Sequence, residues 1–291
     1  MRLRLATAFA ALALAAAGCA NGTSPGSSGT GAGTIIHPTG PDQLVLRVED
    51  SGGFVAPTYL FTRLAGFSLF GDGTLLQPGA QIEIYPGPAL PAISAQTISE
   101  DGLQAILRAA LTAGLDHDAS YTDLGSMGIA DASATVFTLT VDGRTHRIEA
   151  YALGMEGEER PAGMPVGEWE ARRALQAFVT QIGDLASWLP PGSIAEAAAY
   201  ESTAARLLVG PYAPDDQLPQ HPEEWPLAAP LTSFGEPTAF DAGTTCGVVD
   251  GGDWTTVQAL ARQANDLTPW VSDGHRYAID FRPLLPDEHS C

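Results

Sequence analysis

Alternation of apolar and polar positions predicts the first strand of the chain. In the segment 43–49, Leu44, Leu46 and Val48 occupy one face, and charged residues occupy the other. A period of two residues is typical of a half-buried β-strand. Further strands are predicted by apolar runs at 59–61, 66–70 and 74–76 and by a second alternation at 81–85. Short, closely spaced strands of this kind favour antiparallel sheets.

Three segments have the apolar spacing of amphipathic helices. The clearest begins at Ser99, an N-cap residue followed by two acidic residues, and places apolar residues at i, i+3, i+4, i+7 and i+8 from Leu103. Gly114 supplies a left-handed C-cap. The second helix is predicted at 168–185, and the third begins at Asp253, which the pattern indicates as its N-cap.

Asp142-Gly143 separates two strand-like segments, 135–141 and 144–151, and this dipeptide is typical of a two-residue hairpin turn. Later strands are predicted at 206–209, 246–249 and 277–281. We therefore expect an α+β fold in which antiparallel sheets pack against a few amphipathic helices.

The order of helix, Asp-Gly dipeptide and alternating strand occurs twice, the second time around Asp273-Gly274. The connecting lengths differ between the two occurrences. One interpretation is a pair of related α+β subdomains, at 42–202 and 203–291, and the other is chance reuse of a common motif.

The segment 1–18 has the features of a secretory signal. Arg2 and Arg4 precede an apolar run of about a dozen residues, which is too short for a permanent membrane-spanning helix. The Ala-Ala-Gly-Cys sequence ending at Cys19 resembles the lipobox of bacterial lipoproteins, which implies acylation of this cysteine. Ala16 stands where that motif usually has Leu, and ordinary cleavage after an alanine is the alternative. We expect an exported protein, lipid-anchored at the outer face of the cell membrane.

The segment 19–41 is predicted to be a flexible tether, because it consists almost entirely of Gly, Ser, Thr, Ala and Pro. The tether contains Gly22-Thr23-Ser24-Pro25-Gly26, which matches the Gly-x-Ser-x-Gly nucleophile pattern. That pattern requires a strand before it and a helix after it, and neither is predicted here. We do not interpret this serine as a nucleophile.

The three cysteines are consistent with export. If Cys19 carries lipid, Cys246 and Cys291 remain as an even pair, which is expected to form a disulfide in an oxidising compartment. A strand ending near residue 281 can bring the C-terminus back toward Cys246. The alternative is a pair of separate thiols.

Composition and charge exclude several classes of protein. The 14 basic residues, all Arg, face 34 acidic residues, giving a net charge of −20. This field repels nucleic acid, so we expect no nucleic-acid partner. The absence of Lys excludes Walker A, Schiff-base and Ser-x-x-Lys chemistries. Loss of Arg2 and Arg4 with the signal leaves 12 Arg against 34 acids, a net charge of −22.

Metal and cofactor motifs are weak. Asp116, Asp118 and Ser120 begin like a calcium loop, but Tyr121 stands where that loop needs Gly. Asp250 and Asp253 are explained by a turn and a helix cap. The histidines lack zinc-ligand spacing, so we expect no metal and no cofactor.

Catalytic side chains are no clearer, and we assign none. The acidic run Glu156, Glu158 and Glu159 is interpreted as a solvated loop. His146 and His117 are interpreted as a half-buried strand residue and an exposed turn residue rather than general bases.

Three tryptophans remain as a candidate recognition surface. Trp225, Trp254 and Trp270 lie in the C-terminal region, and two of them are next to Pro. They form either an exposed recognition surface or the cover of a core, and we favour the core.

Several segments resemble an uncharacterised family of secreted and lipid-anchored bacterial proteins from high-GC genomes. The resemblance rests on Leu44–Phe54, on Phe67–Thr74 with its Gly-Asp-Gly turn, on Tyr85-Pro86-Gly87-Pro88, on Thr268-Pro269-Trp270 and on Arg282–Pro286. It implies an exported, lipid-anchored location but no activity and no ligand residues.

The well-patterned core without a recognisable nucleophile, metal set or cofactor loop favours a monomeric binding or interaction module. Its expected partners are the membrane, through the lipid, and an envelope protein or glycan. The alternatives are an extracellular hydrolase that uses acidic residues and an inhibitor or accessory subunit of an envelope enzyme. A concave pocket holding two carboxylates with displaced pKa values would favour the hydrolase, and an exposed aromatic patch would favour binding.

Overall fold

The structure, a computed structural model, describes residues 33–238 and 243–291. Ile35–Cys291 form one compact unit. Within the described residues, two sheets of eight and six strands combine with four α-helices, which confirms the predicted α+β class. Neighbouring strands run antiparallel except in two short edge pairs. The helices are α1 (Pro57–Thr62), α2 (Glu100–Thr112), α3 (Val166–Ile182) and α4 (Gly251–Ala261).

The first sheet is built around a long central strand. Its strands are β1 (Leu44–Gly52), β2 (Phe67–Phe70), β3 (Thr74–Pro78), β4 (Ile93–Thr97), β5 (Ala119–Tyr121), β6 (Ser133–Val141), β7 (Arg144–Tyr151) and β8 (Ala198–Ala199), in the spatial order β5-β7-β6-β1-β2-β3-β4-β8. The predicted turn joins β6 to β7, with φ of 50° at Asp142 and 71° at Gly143. Both values suit a type I′ turn, which matches the twist of the hairpin.

Helices α2 and α3 cover one face of this sheet. The Ser99 Oγ accepts a hydrogen bond from the Gly102 N–H at 3.3 Å, which confirms the predicted N-cap. The apolar stripe of α2 is buried against β1 and β6, and Phe178 of α3 packs on Phe137 with ring centroids 6.5 Å apart. Gly114 has a φ of 89° just after the helix, as predicted.

The second sheet has a different connectivity. Its strands are β9 (Ala204–Pro211), β10 (Glu223–Glu224), β11 (Glu236–Pro237), β12 (Thr245–Asp250), β13 (Trp270–Ser272) and β14 (His275–Pro283), in the order β10-β13-β14-β9-β12-β11. The hairpin β13–β14 joins the central strand β9 through its second strand, whereas the hairpin β6–β7 joins β1 through its first. The two Asp-Gly hairpins are therefore attached in opposite ways. The relationship between two subdomains stays a hypothesis.

The two faces of the second sheet have different neighbours. Leu207, Val209 and Phe281 face a core shared with α4 and the tryptophans. The alternate residues face α1, and among them Leu208 and Cys246 contact the buried ring of Phe61. Because paired residues in adjacent strands share a face, the register places further β9 and β14 side chains beside α1.

The C-terminal segment connects the second sheet to the first. Leu285 is buried with Phe70 of β2 and Leu76 of β3. Arg47 of β1 pairs with Asp287 at 2.8 Å. Cys291 reaches Cys246 at disulfide distance, with Cα atoms 6.0 Å apart, as the cysteine count predicts.

Two predicted strands and one predicted cap are wrong. Residues 59–61 lie in helix α1, because Pro57 at its start has a φ suited to the first helical turn. The segment 81–85 forms no strand, and its isoleucines at 82 and 84 are both exposed, so its alternation does not mark a buried face. Asp253 lies within the first turn of α4, and Asp250 occupies the N-cap position.

The described part of the predicted tether is hydrogen-bonded to the folded domain. The Ile35 N–H donates to Gln104 Oε1 at 2.9 Å, and the Asp142 N–H donates to the Ile36 carbonyl at 2.8 Å. The compact unit therefore begins at Ile35 rather than at residue 42. The predicted signal, Cys19 and the Gly22–Gly26 motif lie outside the described residues.

Candidate functional site

A groove of about 470 Å³ opens between α1 and the second sheet. Its walls include Tyr59 of α1, Gln81, Pro88 and two carboxylates, those of Asp266 and Asp280. This size is within the range of small-ligand pockets.

Helix α1 is held in place by one buried side chain and one hydrogen bond to its backbone. The Phe61 ring is 2% exposed and packs on the second sheet. The Arg206 guanidinium lies 4.7 Å from the Phe61 ring centroid and donates to the Phe61 carbonyl at 2.6 Å. Tyr59, two residues earlier, is 53% exposed and lines the groove.

The opposite wall is a pair of loops that hydrogen-bond to each other. The Asp266 N–H donates to the Gly87 carbonyl at 2.9 Å, and the Ala89 N–H donates to the Ala264 carbonyl at 3.2 Å. The turn that follows α4 is thereby joined to the Pro-rich loop after residue 85. These bonds place Asp266 at the groove.

Asp280 enters the groove from β14. It lies opposite Leu208 in the register, on the sheet face that is directed toward α1, and it is half-buried. Within the described residues its carboxylate forms no hydrogen bond and no ion pair within 4.0 Å. Burial raises the pKa of Asp280, and the neighbouring Asp266 carboxylate raises it further.

Asp266 is more exposed than Asp280. Partial burial raises the pKa of Asp266, although backbone N–H groups of residues 87, 266 and 267 oppose the change. It also forms no ion pair within the described part of the chain. Arg63 lines the same groove, but its guanidinium lies 4.9 Å from the Tyr59 ring centroid and donates to the Gly52 carbonyl at 3.2 Å. The groove therefore holds two carboxylates without a cationic partner.

Exposed apolar side chains are concentrated in two segments, one of which contains the groove residue Tyr59. Of the eleven large apolar side chains exposed in the described residues, seven lie in the segments 54–60 and 82–85. Phe54 is 88% exposed and Tyr85 is 74% exposed. A concentration of this kind is uncommon on a surface without a binding partner.

The predicted tryptophan positions are core residues. Trp225, Trp254 and Trp270 are 8%, 1% and 1% exposed, so the interpretation as a recognition surface is wrong and the interpretation as core is confirmed. Trp270 packs edge-to-face with Phe281 and Trp225, with ring centroids 5.4 and 6.1 Å apart.

The interpretation of Glu156 as a solvated loop residue is also wrong. Its side chain is 7% exposed and accepts a hydrogen bond from buried Arg172. Arg172 also donates to the carbonyls of Tyr121 and Tyr151 at 3.0 and 2.6 Å. The guanidinium joins α3 to two strands, and Glu156 neutralises it.

The histidine and aspartate candidates lie at the edge of the first sheet, away from the groove. His117 is exposed, and its hydrogen bond lowers the pKa of Asp116. His146 is 19% exposed in its side chain, in agreement with the half-buried interpretation. Asp118 accepts the Arg147 N–H at 2.8 Å. Nowhere in residues 33–238 and 243–291 do three His, Cys, Asp or Glu side chains form a group that could hold a metal ion.

The sequence of β14 contains a partial signal for the groove. Tyr277, Ile279 and Phe281 alternate with Asp280 and Arg282, a pattern that indicates one buried and one solvent-facing side. Helix α1 covers the second side, which converts a solvent-facing carboxylate into a groove residue. Such a covering element comes from a distant part of the chain, so the strand pattern alone cannot reveal it.

Comparison with known proteins identifies no relative. The chain matches no protein-family model, no curated protein and no solved structure. Across the described residues, the helices are all too short or too polar to cross a membrane.

Proposed function

We propose that this protein is an exported, lipid-anchored binding protein whose groove beside α1 takes a cationic group of an envelope protein. The observation that carries this proposal is the pair of groove carboxylates, Asp266 and Asp280, which have no cationic partner within the described residues. The complementary ligand group is an amine or a guanidinium on a short peptide segment.

The electrostatics of the groove support a cation. Two partly desolvated carboxylates near each other raise the free energy of their ionised forms, and a bound cation removes this cost. The net charge of −20 attracts cations over longer distances and increases their association rate.

The exposed ring of Tyr59 in the groove supports a peptide rather than a free ion. This ring is 53% exposed and can pack on the apolar stem of an Arg or Lys side chain. A small inorganic cation would use none of this apolar surface.

Titration calorimetry with matched peptides tests the proposal. The probes are short peptides that carry a central Arg and the same peptides with neutral citrulline in its place. We expect Asp280→Asn to weaken binding of the Arg peptides by about tenfold or more, since it removes a partly desolvated charge pair. The matched control, Asp216→Asn, removes the same charge from an exposed site outside the groove and is expected to bind like the wild type. Equal binding of Arg and citrulline peptides would overturn the proposal.

The same carboxylates support a second candidate, a hydrolase. A carboxyl group with a raised pKa can act as a general acid, and a nearby ionised carboxylate can act as a base or nucleophile. Turnover of a panel of chromogenic glycosides by the wild type, abolished in Asp280→Asn, would favour the hydrolase. Binding of Arg peptides without turnover favours the binding protein.

Lipid anchoring is tested separately at Cys19. We expect labelled fatty acid to be incorporated into the wild-type protein in a bacterial host and to be absent from Cys19→Ala. Labelling that persists in Cys19→Ala would contradict acylation at this cysteine. The Cys291→Ala variant controls for nonspecific labelling at another cysteine.

A further inference from the structure

A second cavity, of about 360 Å³, brings three arginines together. Arg63, Arg206 and Arg282 line it, in a chain that has only 14 basic residues. The cavity is lined mainly by polar groups and meets α1 at Leu60.

The register of the second sheet sets two of these arginines side by side. Arg282 of β14 lies directly opposite Arg206 of β9, on the sheet face that is directed toward α1. Like charges at directly opposed positions destabilise a sheet unless counter-charges are present. Arg63 joins them because it follows α1, and its carbonyl accepts a hydrogen bond from Arg282 Nε at 3.3 Å.

Only one of the three guanidiniums is neutralised by a carboxylate. Arg282 donates to both Glu288 oxygens at 2.9 Å, the bidentate arrangement that satisfies a guanidinium most completely. Arg63 and Arg206 have no carboxylate within 4.0 Å in the described residues. They donate to the carbonyls of Gly52 and Phe61.

Arg206 is incompletely satisfied within the protein. Its Nε atom is buried and has no hydrogen-bond partner in the described residues. Burial lowers the pKa of Arg206, and the adjacent charge of Arg282 lowers it further. An anion in the cavity would offset the adjacent positive charge of Arg282.

Besides Glu288, which pairs with Arg282, two further carboxylates line this cavity, and they restrict the kind of anion that fits. Glu49 and Asp50 lie at the end of β1 and form no ion pair with Arg63 or Arg206. They would repel a fully ionised anion but accept hydrogen bonds from one that keeps a proton. Hydrogen phosphate has both the negative oxygens that guanidiniums bind and a hydroxyl that carboxylates can accept.

We propose that the cavity lined by Arg63 and Arg206 is a binding site for a phosphate group. Its source is free hydrogen phosphate or a small phosphomonoester. Since a phosphomonoester is mostly a dianion near neutral pH, its other hydroxyl groups would have to donate to the carboxylates. This site is separate from the carboxylate pair and does not depend on the cationic ligand proposed for the groove.

Calorimetry with defined anions tests the site on the folded wild-type chain. Inorganic phosphate and glycerol phosphate are the two probes, and the tighter of the two identifies the source. Sulfate, which has no proton to donate near neutral pH, is expected to bind more weakly than phosphate. We expect Arg206→Gln and Arg63→Gln each to weaken phosphate binding by about tenfold or more.

Controls separate this site from general effects of charge and from the groove. Arg276→Gln removes an exposed arginine of β14 outside both cavities and is expected to bind phosphate like the wild type. Asp280→Asn is expected to retain phosphate binding even if it loses Arg peptides. If Arg206→Gln does not fold, Arg63→Gln alone decides. A wild type that fails to bind phosphate at millimolar concentration, or variants that bind equally well, would overturn the proposal.

Discussion

Two charged residues illustrate how this protein treats buried charge. Arg172 is 1% exposed and is balanced by Glu156 and by two backbone carbonyls. Asp280 is half-buried and has neither an ion pair nor a hydrogen bond in the described residues. The first arrangement stabilises the fold, and the second retains an unfavourable charge in a groove. Uncompensated polar groups are more typical of functional sites than of structural ones.

Arg172→Met is expected to destabilise the fold by about 3 to 5 kcal/mol, because the Glu156 carboxylate stays buried without its partner. Urea unfolding measures the change. The neighbouring Arg173→Met is the control, since Arg173 is exposed and forms no ion pair within the described residues, its guanidinium lying 5.4 Å from the Trp169 ring centroid. A loss equal to that of Arg173→Met would show that the ion pair has no structural role.

Asp280→Asn is expected to increase the free energy of unfolding near neutral pH. Burial and Asp266 raise the pKa of Asp280 in the folded state, so its ionised form opposes folding at a pH above that raised pKa. As the pH falls through the raised pKa toward the ordinary Asp value, the wild type gains stability and the difference between the two proteins decreases. A wild type that is more stable than Asp280→Asn near neutral pH would contradict this account.

At the scale of secondary-structure elements, helix α1 forms part of the wall of the candidate site. It contributes Tyr59 to the groove and Leu60 to the arginine-lined cavity, and Phe61 is its only buried residue. Its apolar run at 59–61 is visible in the sequence, but the run predicts a strand rather than a helix. Regular elements with long patterns, such as α2, β6 and β7, were predicted correctly, because a local period identifies them. Short elements such as α1 depend on contacts with distant strands, which a local pattern does not contain.

Phe61→Ala is expected to release α1 and to lower the free energy of unfolding by about 3 to 5 kcal/mol, the usual cost of removing a buried aromatic ring. Amide hydrogen exchange should increase within Pro57–Arg63 more than elsewhere. Leu60→Ala is the control on the same helix, because the Leu60 side chain is 36% exposed. Unchanged exchange in α1 would mean that other contacts hold this helix.

At the scale of the whole molecule, the last residues of the chain link the two sheets. Leu285 packs against the first sheet. Asp287 pairs with Arg47 of β1, and Glu288 pairs with Arg282 of β14. Cys291 then joins the segment to β12. The even pair of cysteines that remains once Cys19 is assigned to lipid made this pairing predictable. The ion pairs of residues 287 and 288 depend on tertiary packing and were not predictable from the sequence.

Loss of the Cys246–Cys291 link is expected to reduce stability by roughly 4 kcal/mol, because the unlinked chain regains the entropy of a loop with a sequence separation of 45. Thermal unfolding of the wild type with and without reductant measures the effect. The double variant Cys246→Ser/Cys291→Ser should unfold like the reduced wild type and show no further response to reductant. An identical unfolding temperature for oxidised and reduced wild type would contradict a structural role for this pair.

The most direct test of the account is to locate a bound cation on the protein. An amide NMR titration of the wild-type folded domain with arginine amide reports the site of contact residue by residue. We expect saturable shifts in the amides of α1, of residues 87–89 and 264–267, and of β14 around Asp280, and we expect these shifts to be lost in Asp280→Asn. Shifts confined to other surfaces, or the same shifts in Asp280→Asn, would contradict the assignment of the groove as a cation-binding site.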